Sequence, residues 1–239
     1  MRKRARGLLR RCKGLVLRLR RPFFESLGSD RYSHLAINDL DRKLSAYLDF
    51  RGGTFIEAGA NDGLAQSNSY WFERFRGWRG LLIEAVPEKA QACRRNRPAA
   101  IVVQSALVAS DNVKSVRINT ADLMAYVEGG FSDPAQEQIH LGYAMEHYDP
   151  ATISGIEVSA RTLSSILDEH KMSRIDLFSL DVEGFEVEVL KGLNISRHRP
   201  RYILVETKQI DAIMEVLEGA YERVGLLSHH DHLLRANPL

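Results

Sequence analysis

Thr54-Phe55-Ile56-Glu57-Ala58-Gly59-Ala60-Asn61-Asp62-Gly63 decides the fold: a β-branched and aromatic strand breaks into a glycine-marked turn, and helix-compatible sequence resumes at Gln66. Gly59 and Gly63 permit positive φ or close backbone approach, so the turn is expected to cradle a ligand against free backbone N–H groups at a helix start. Glu57 is the acid of this strand and sits near its carboxyl end, where open α/β sheets bind ligands. A second strand, Gly80-Leu81-Leu82-Ile83, ends in Glu84 about 20 residues after the loop, the place of a ribose-binding carboxylate in a nucleotide-binding α/β unit. The glycine spacing does not match G-x-G-x-x-G, which argues against an ordinary NAD fold and leaves other nucleosides open.

Working outward, residues 35–49 carry apolar positions at helical spacing and lead into the first strand. Ser69–Phe75 reads as the helix after the loop, and Pro87 opens another that ends at Asn96–Pro98. Ala100–Leu107 reads as a third buried strand and Val113–Ile118 as an alternating one. From about 120 to 156 the periodicity is lost while Gly, Tyr, His and Pro accumulate, including His140, Tyr143, His147 and Tyr148, so this stretch is expected to be a lid insertion. Regularity returns with a helix over Thr162–His170, the apolar strand Ile175–Leu180, a helix carrying Val187, Leu190 and Leu193, the strand Tyr202–Val205 and a helix over Ile210–Leu217. Arg223–Ser228 and His232–Arg235 read as an antiparallel closing pair with His229, His230 and Asp231 at the turn. Strands alternating with helices predict a doubly wound, mostly parallel α/β sheet.

Four acids, Glu57, Glu84, Asp181 and Glu206, terminate four of these strands at one edge of the sheet. Glu84 suits a ribose; Glu57 either holds the loop or reaches the ligand. Asp181 and Glu183, beside Gly184, are placed to meet a substrate hydroxyl or a small divalent cation. For each acid the structural alternative is a helix cap or loop brace.

The 239 residues, 44% of them apolar, suffice for one core with an appendage. Cys12 and Cys93 stand far apart with no C-x-x-C, so neither a disulfide framework nor a zinc site is expected. Residues 1–21 hold ten Lys or Arg and no acid, leaving the remainder at 23 basic against 31 acidic residues. No nucleic-acid binding is expected of so acidic a body. On a helical wheel Leu8, Leu9, Cys12, Leu15, Val16, Leu19 and Phe23 share one face of the arm, residues 1–24, against Lys and Arg on the other, as for a basic amphipathic helix lying on an anionic membrane. A solvated or RNA-touching tail is the alternative. The expected location is the cytoplasm, with peripheral attachment to the inner face of a membrane if the arm binds it.

Phe55–Gly63, Gln66-Ser67-Asn68-Ser69-Tyr70, Leu82-Ile83-Glu84-Ala85-Val86-Pro87 and above all Ser179-Leu180-Asp181-Val182-Glu183-Gly184-Phe185-Glu186-Val187-Glu188-Val189-Leu190-Lys191-Gly192-Leu193 resemble the FkbM family of S-adenosylmethionine-dependent methyltransferases, in order and spacing from about residue 35 to 207. The family usually shows Glu-Pro where this chain has Glu84-Ala85. The resemblance implies a Rossmann-like methyltransferase domain over 35–239, using S-adenosylmethionine, commonly for O-methylation of sugar hydroxyls on glycans, glycolipids or related molecules. Carried over by position, Glu57, Gly59, Asn61 and Gly63 form the methionine-side loop, Glu84 binds the ribose, and Ser105 and Ala106 lie where the fold contacts adenine. Asp181 and Glu183 flank the transferring methyl. For the hydroxyl proton the acceptors left open are Asp181, Glu183, Glu206 and a lid histidine, the alternative being a cation between the acids that lowers the hydroxyl pKa. The absence of an Asn-Pro-Pro-Tyr or Asp-Pro-Pro-Tyr motif favours oxygen over nitrogen. Two rivals remain: a non-catalytic S-adenosyl-ligand-binding or scaffold protein of the same fold, and an NAD-dependent sugar oxidoreductase.

Overall fold

The computed structural model describes residues 20–120, 125–130, 134–147 and 154–238. Residues 20–26 are helical. After a 3-10 turn at Ile37–Asp39 come α1 (Leu40–Ser45), β1 (Thr54–Ala58), α2 (Tyr70–Arg76), β2 (Arg79–Glu84), α3 (Pro87–Asn96), β3 (Ile101–Gln104), β4 (Ala106–Leu107), β5 (Ser115–Thr120) and β6 (Tyr126–Val127). They are followed by α4 (Pro134–His147), β7 (Ser154–Arg161), α5 (Leu163–Glu169), β8 (Leu177–Leu180), α6 (Glu186–Lys191), β9 (Tyr202–Glu206), α7 (Ile210–Val216), β10 (Tyr221–Leu226) and β11 (Asp231–Ala236).

Continuous apolar runs make strands that bury both faces, as parallel sheets require. The main sheet has the order β10-β11-β9-β8-β1-β2-β3. β3, β2, β1, β8 and β9 are parallel, and β11 and β10 close the sheet antiparallel. Alternate residues face opposite layers. Ile56, Ile83, Phe178 and Ile203 pack with Ile166, Leu190 and Ile213 from α5, α6 and α7. Phe55, Leu82, Leu177 and Leu204 pack with Leu44, Phe72 and Cys93 from α1, α2 and α3. The chain leaves β1 toward β2 and β3 and later returns on its other side as β8, so the strand order reverses between β1 and β8. Crevices at such points are where doubly wound sheets bind ligands. The Rossmann-like fold expected from the sequence is the fold observed.

Several elements depart from expectation. The helix read over 35–49 is shorter, because Asn38 and Asp39 take left-handed backbone (φ 53° and 55°) and α1 ends at Ser45. The stretch read as one buried third strand is two: β3 is an edge strand with Ile101 47% exposed, and β4 pairs with β7 in a separate sheet. That second sheet, in the order β4-β7-β5-β6, contains an eight-residue strand, β7, where the sequence suggested the end of a lid and then an unassigned stretch before the helix at Thr162. Period-2 alternation of Ile156, Val158 and Ala160 was its signal. The insertion is not without structure, since α4 and β6 lie within it. The side chains of His140 and His147, and all of Tyr148, lie outside the described residues, as do residues 1–19 of the basic arm.

Candidate active site

The loop after β1 is fixed by a buried network. The Glu57 carboxylate, 5% exposed, accepts hydrogen bonds from the Ser67 hydroxyl at 2.8 Å, the Asn68 backbone N–H at 2.9 Å and the Ser69 hydroxyl. Arg97, 1% exposed, pairs with both oxygens of Glu73 at 3.0 and 2.9 Å and donates to the Gly63 carbonyl at 3.0 Å and the hydroxyls of Ser67 and Ser69 at 3.2 and 3.1 Å. Of the two roles open to Glu57, loop brace is the one these bonds perform. Buried charges persist when paired and hydrogen-bonded in this way.

Gly59 (φ 81°) is where backbone meets backbone: a Cβ there would lie 1.7 Å from the Asp181 carbonyl oxygen. Gly63 (φ 78°) serves a different contact. Its missing side chain admits Arg97 and Cys93 of the α3 end, at 3.0 and 3.3 Å from a Cβ position, and it stands outside the cavity lining. Cys93 is a free, buried thiol that donates to the Asn61 carbonyl at 2.9 Å, with its pKa pushed up to about 12 by burial and then by the charge of Glu84. The expected cradle of free N–H groups at a helix start is not what the loop builds. Gly59 and Ala60 donate to the Ile83 carbonyl, Asn61 to Glu84 and Asn68 to Glu57, while α2 begins only at Tyr70.

A cavity of about 400 Å³ opens at the carboxyl ends of β1, β2, β8 and β9. Glu57, Gly59, Asn61, Glu84, Ser105, Ala106, Asp181, Glu183 and Glu206 all line it, so the strand-end acids converge as the sequence indicated. Glu84 accepts the Asn61 N–H on one carboxylate oxygen and the Val86 N–H on the other, each at 2.8 Å. Each oxygen keeps a second lone pair, suited to a vicinal pair of hydroxyls. Burial raises the pKa of Glu84 above the usual carboxylate range, with the backbone donors and Lys89 opposing. Ser105 places its N–H on the Glu84 carbonyl at 3.2 Å and its hydroxyl on the Ala106 carbonyl at 2.8 Å.

On the opposite side Asp181, Glu183, Glu206, His230 and Asp231 share the lining. Burial first, and then Glu206, Glu183, Glu186 and Asp231, holds the Asp181 carboxyl well above its usual range. The same forces, burial and then Glu206, push Glu183 up to about 8, and Glu206 is raised by burial and then by Asp231. Glu183 sits at φ 55°, and the neighbouring Glu186 carboxylate accepts the Val182 and Gly184 N–H groups, fixing this turn. His230 Nε2 lies 3.2 Å from a Glu206 oxygen. Among the described residues no group of three His, Cys, Asp or Glu side chains is disposed to hold a metal ion.

Sequence reasoning quoted Asn68 and Ser179 without giving them a role. Asn68 donates through Nδ2 to the Ser179 hydroxyl at 3.0 Å, and its Oδ1 is buried in the cavity wall with no hydrogen-bond partner. A buried acceptor left open costs free energy until something donates to it. Ile37, Asn38 and His230 were also missed as lining residues. The histidine turn was visible, but only the β9–β11 register, which pairs Asp231 with Glu206, delivers it here.

Residues 57–234 match the family described as Methyltransferase FkbM domain. The chain belongs to the FkbM methyltransferase family. No curated protein matches the chain significantly. Among solved structures it is similar to the methyltransferase FkbM of Methylobacillus flagellatus KT, with 16% identity and a TM-score of 0.45 over 78% of this chain and 44% of that one. It thus spans less than half of that protein's length. It is also similar to a TehB-like SAM-dependent methyltransferase of Corynebacterium glutamicum ATCC 13032 Kitasato, with 11% identity and a TM-score of 0.39 over 93% of this chain and 95% of that one. Membership of the FkbM family implies S-adenosylmethionine as the methyl donor.

The residues present fit that molecule. The cavity volume falls in the range of about 300–1,000 Å³ typical of small-molecule sites. Glu84 offers two open lone pairs where a ribose belongs, and the Asn68 Oδ1 atom lacks a donor that an ammonium group supplies.

Proposed function

We propose that this FkbM methyltransferase transfers the methyl group of S-adenosylmethionine to a hydroxyl oxygen of a sugar-containing acceptor. The observation that supports the reading is a single cavity lined at one side by Glu84 and Ser105 and at the other by Asp181, Glu183, Glu206 and His230. S-adenosylmethionine supplies an electrophilic methyl group when bound; Glu84, Ser105 and Ala106 would hold its nucleoside, and Gly59, Asn61 and Asn68 its amino-acid part.

The chain's own work is alignment and proton transfer. The Glu57–Arg97 network fixes the loop before any ligand arrives, so little ordering entropy is lost on binding. A sugar hydroxyl has to lose a proton as its oxygen attacks. Burial first, and then the charge of neighbouring carboxylates, raises the proton affinity of Asp181, Glu183 and Glu206 above that of an ordinary carboxylate, as suits a general base. Asp181 takes the proton at its carboxylate, and Glu206, hydrogen-bonded to His230, sets the field around it.

Calorimetric titration with S-adenosylmethionine, S-adenosylhomocysteine and NAD tests the cofactor half, alongside Glu84→Ala with its fold checked by circular dichroism. Both S-adenosyl compounds bind wild type, and the variant loses them. A folded protein that binds neither, or prefers NAD, ends the reading. For the acceptor half, labelled methyl from S-adenosylmethionine is followed into a panel of sugars and amines; capture only on nitrogen overturns the assignment to oxygen.

A further inference from the structure

The helix at residues 20–26 is bound to the body along one side. Glu25 accepts hydrogen bonds from the Tyr70 hydroxyl at 2.7 Å and the Ser33 hydroxyl at 2.8 Å and pairs with Arg74 at 3.2 Å. Arg21 stacks 4.9 Å over the Tyr70 ring, and Phe24 meets Tyr32 edge-on at 4.9 Å. The other side faces outward and carries Phe23, 62% exposed, with Leu27, 67% exposed, one turn further on.

At 100° per residue Phe23 and Leu27 fall in the same sector as Leu8, Leu9, Cys12, Leu15, Val16 and Leu19. The two described members of the apolar sector drawn by the sequence, Phe23 and Leu27, thus point away from the domain. Had the stripe been meant to pack on this domain, it would arrive on the side of Phe24, which touches the body. A tail serving only to bind the phosphates of RNA needs its basic residues and not the stripe.

We infer that residues 1–27 are a docking surface for an anionic lipid bilayer, with the apolar stripe set into the interface and the flanking lysines and arginines on lipid phosphates. Ten basic residues and no acid within residues 1–21 complement such a surface. Attachment is peripheral in kind, because ten lysines and arginines interrupt residues 1–21 and leave no apolar run near the ~20 residues a spanning helix needs. The chain continues from this helix to Ile37 and Asn38 in the cavity lining, so the docked surface and the cavity are joined by one short connection.

The test is co-sedimentation of the full chain with vesicles of phosphatidylcholine alone and of phosphatidylcholine with phosphatidylglycerol, with polyuridylate binding measured in parallel. Binding is expected to the phosphatidylglycerol vesicles only and to weaken with salt. A Phe23→Ser, Leu27→Ser double variant, which keeps every charge, is expected to bind them at least about tenfold more weakly, and deletion of residues 1–19 to abolish binding, with circular dichroism and melting temperature unchanged. Absence of wild-type binding overturns the inference. So does equal vesicle binding by the double variant, or preferential capture by polyuridylate, which makes the arm a nucleic-acid contact.

Discussion

Gly59→Ala tests the junction on which the cavity depends. The new Cβ would lie 1.7 Å from the Asp181 carbonyl oxygen, whereas ordinary contact begins at 3.4 Å, so the loops after β1 and β8 must separate by well over 1 Å. The Gly59 N–H to Ile83 and Asp181 N–H to Ala58 hydrogen bonds, at 3.0 and 3.2 Å, do not survive such a movement, and each is worth about 1 kcal/mol. Left-handed backbone at φ 81° adds about 1–2 kcal/mol for a residue with a side chain, and overpacking adds about 1–3 kcal/mol. The expected loss is roughly 4–7 kcal/mol, or a fall in melting temperature of about 10–25 °C for a domain of this size. Gly77→Ala is the control, because that glycine has a similar φ of 66° and no atom within 4 Å of a Cβ position; it is expected to lose only about 1–2 kcal/mol. Urea denaturation of both variants gives the difference. If they agree within about 1 kcal/mol, Asp181 does not lie against Gly59 and the geometry assigned to the site is wrong.

Arg97→Ala leaves Glu73 and Glu57 buried without their cation and is expected to destabilise by about 3–5 kcal/mol in urea; a loss under about 1 kcal/mol would show that water replaces the guanidinium. Because the folded pKa of Glu183 is raised from an ordinary 4.5 to about 8, its contribution to stability is complete below 4.5 and is lost as pH rises through about 8. The ligand-free protein should melt at falling temperature across that window, and Glu183→Gln should flatten the profile; a slope untouched by the variant refutes the assignment. Asp181→Asn is expected to lower kcat by about 10²–10⁴ while S-adenosylmethionine affinity stays within a few-fold, and an active, folded variant removes Asp181 from the mechanism. His230 lowers the proton affinity of Glu206, so His230→Asn should move the titration of the Glu206 carboxyl, followed by carbon-13 NMR, to higher pH; an unmoved titration uncouples the pair.

The strands that carry the site were legible because parallel strands buried on both faces read as nearly continuous apolar runs, as in Leu177-Phe178-Ser179-Leu180 and Tyr202-Ile203-Leu204-Val205. Their terminal acids followed from the strands. What local pattern could not give was the destination of each side chain. Glu57 read equally as loop brace or ligand contact and Gly63 as part of a ligand loop, while their partners, Ser67, Ser69, Cys93 and Arg97, lie up to 40 residues away and engage them in the loop's own support. β3 read as buried from composition, but it ends the sheet, and edge position is a property of strand order. His230 reaches the cavity through pairing of β11 with β9, a long-range register that no window of the sequence contains.

The second sheet has an architectural consequence. β4 and β7 pair in parallel through Ala106 with Ala160 and Leu107 with Arg161, so the excursion from residue 108 to 159 leaves and rejoins the domain at neighbouring points. The described residues between those points, including the Ile118, Tyr126 and Val127 side of the cavity, are joined to the main chain path through two adjacent strands about 5 Å apart and pack on Val86 and Phe185. A unit attached in this way is exchangeable: its contents can lengthen, shorten or be replaced while the strands carrying Glu57, Glu84, Asp181 and Glu206 keep their register. The Ile118, Tyr126 and Val127 wall of the cavity can then change without moving the strand ends that carry its acids.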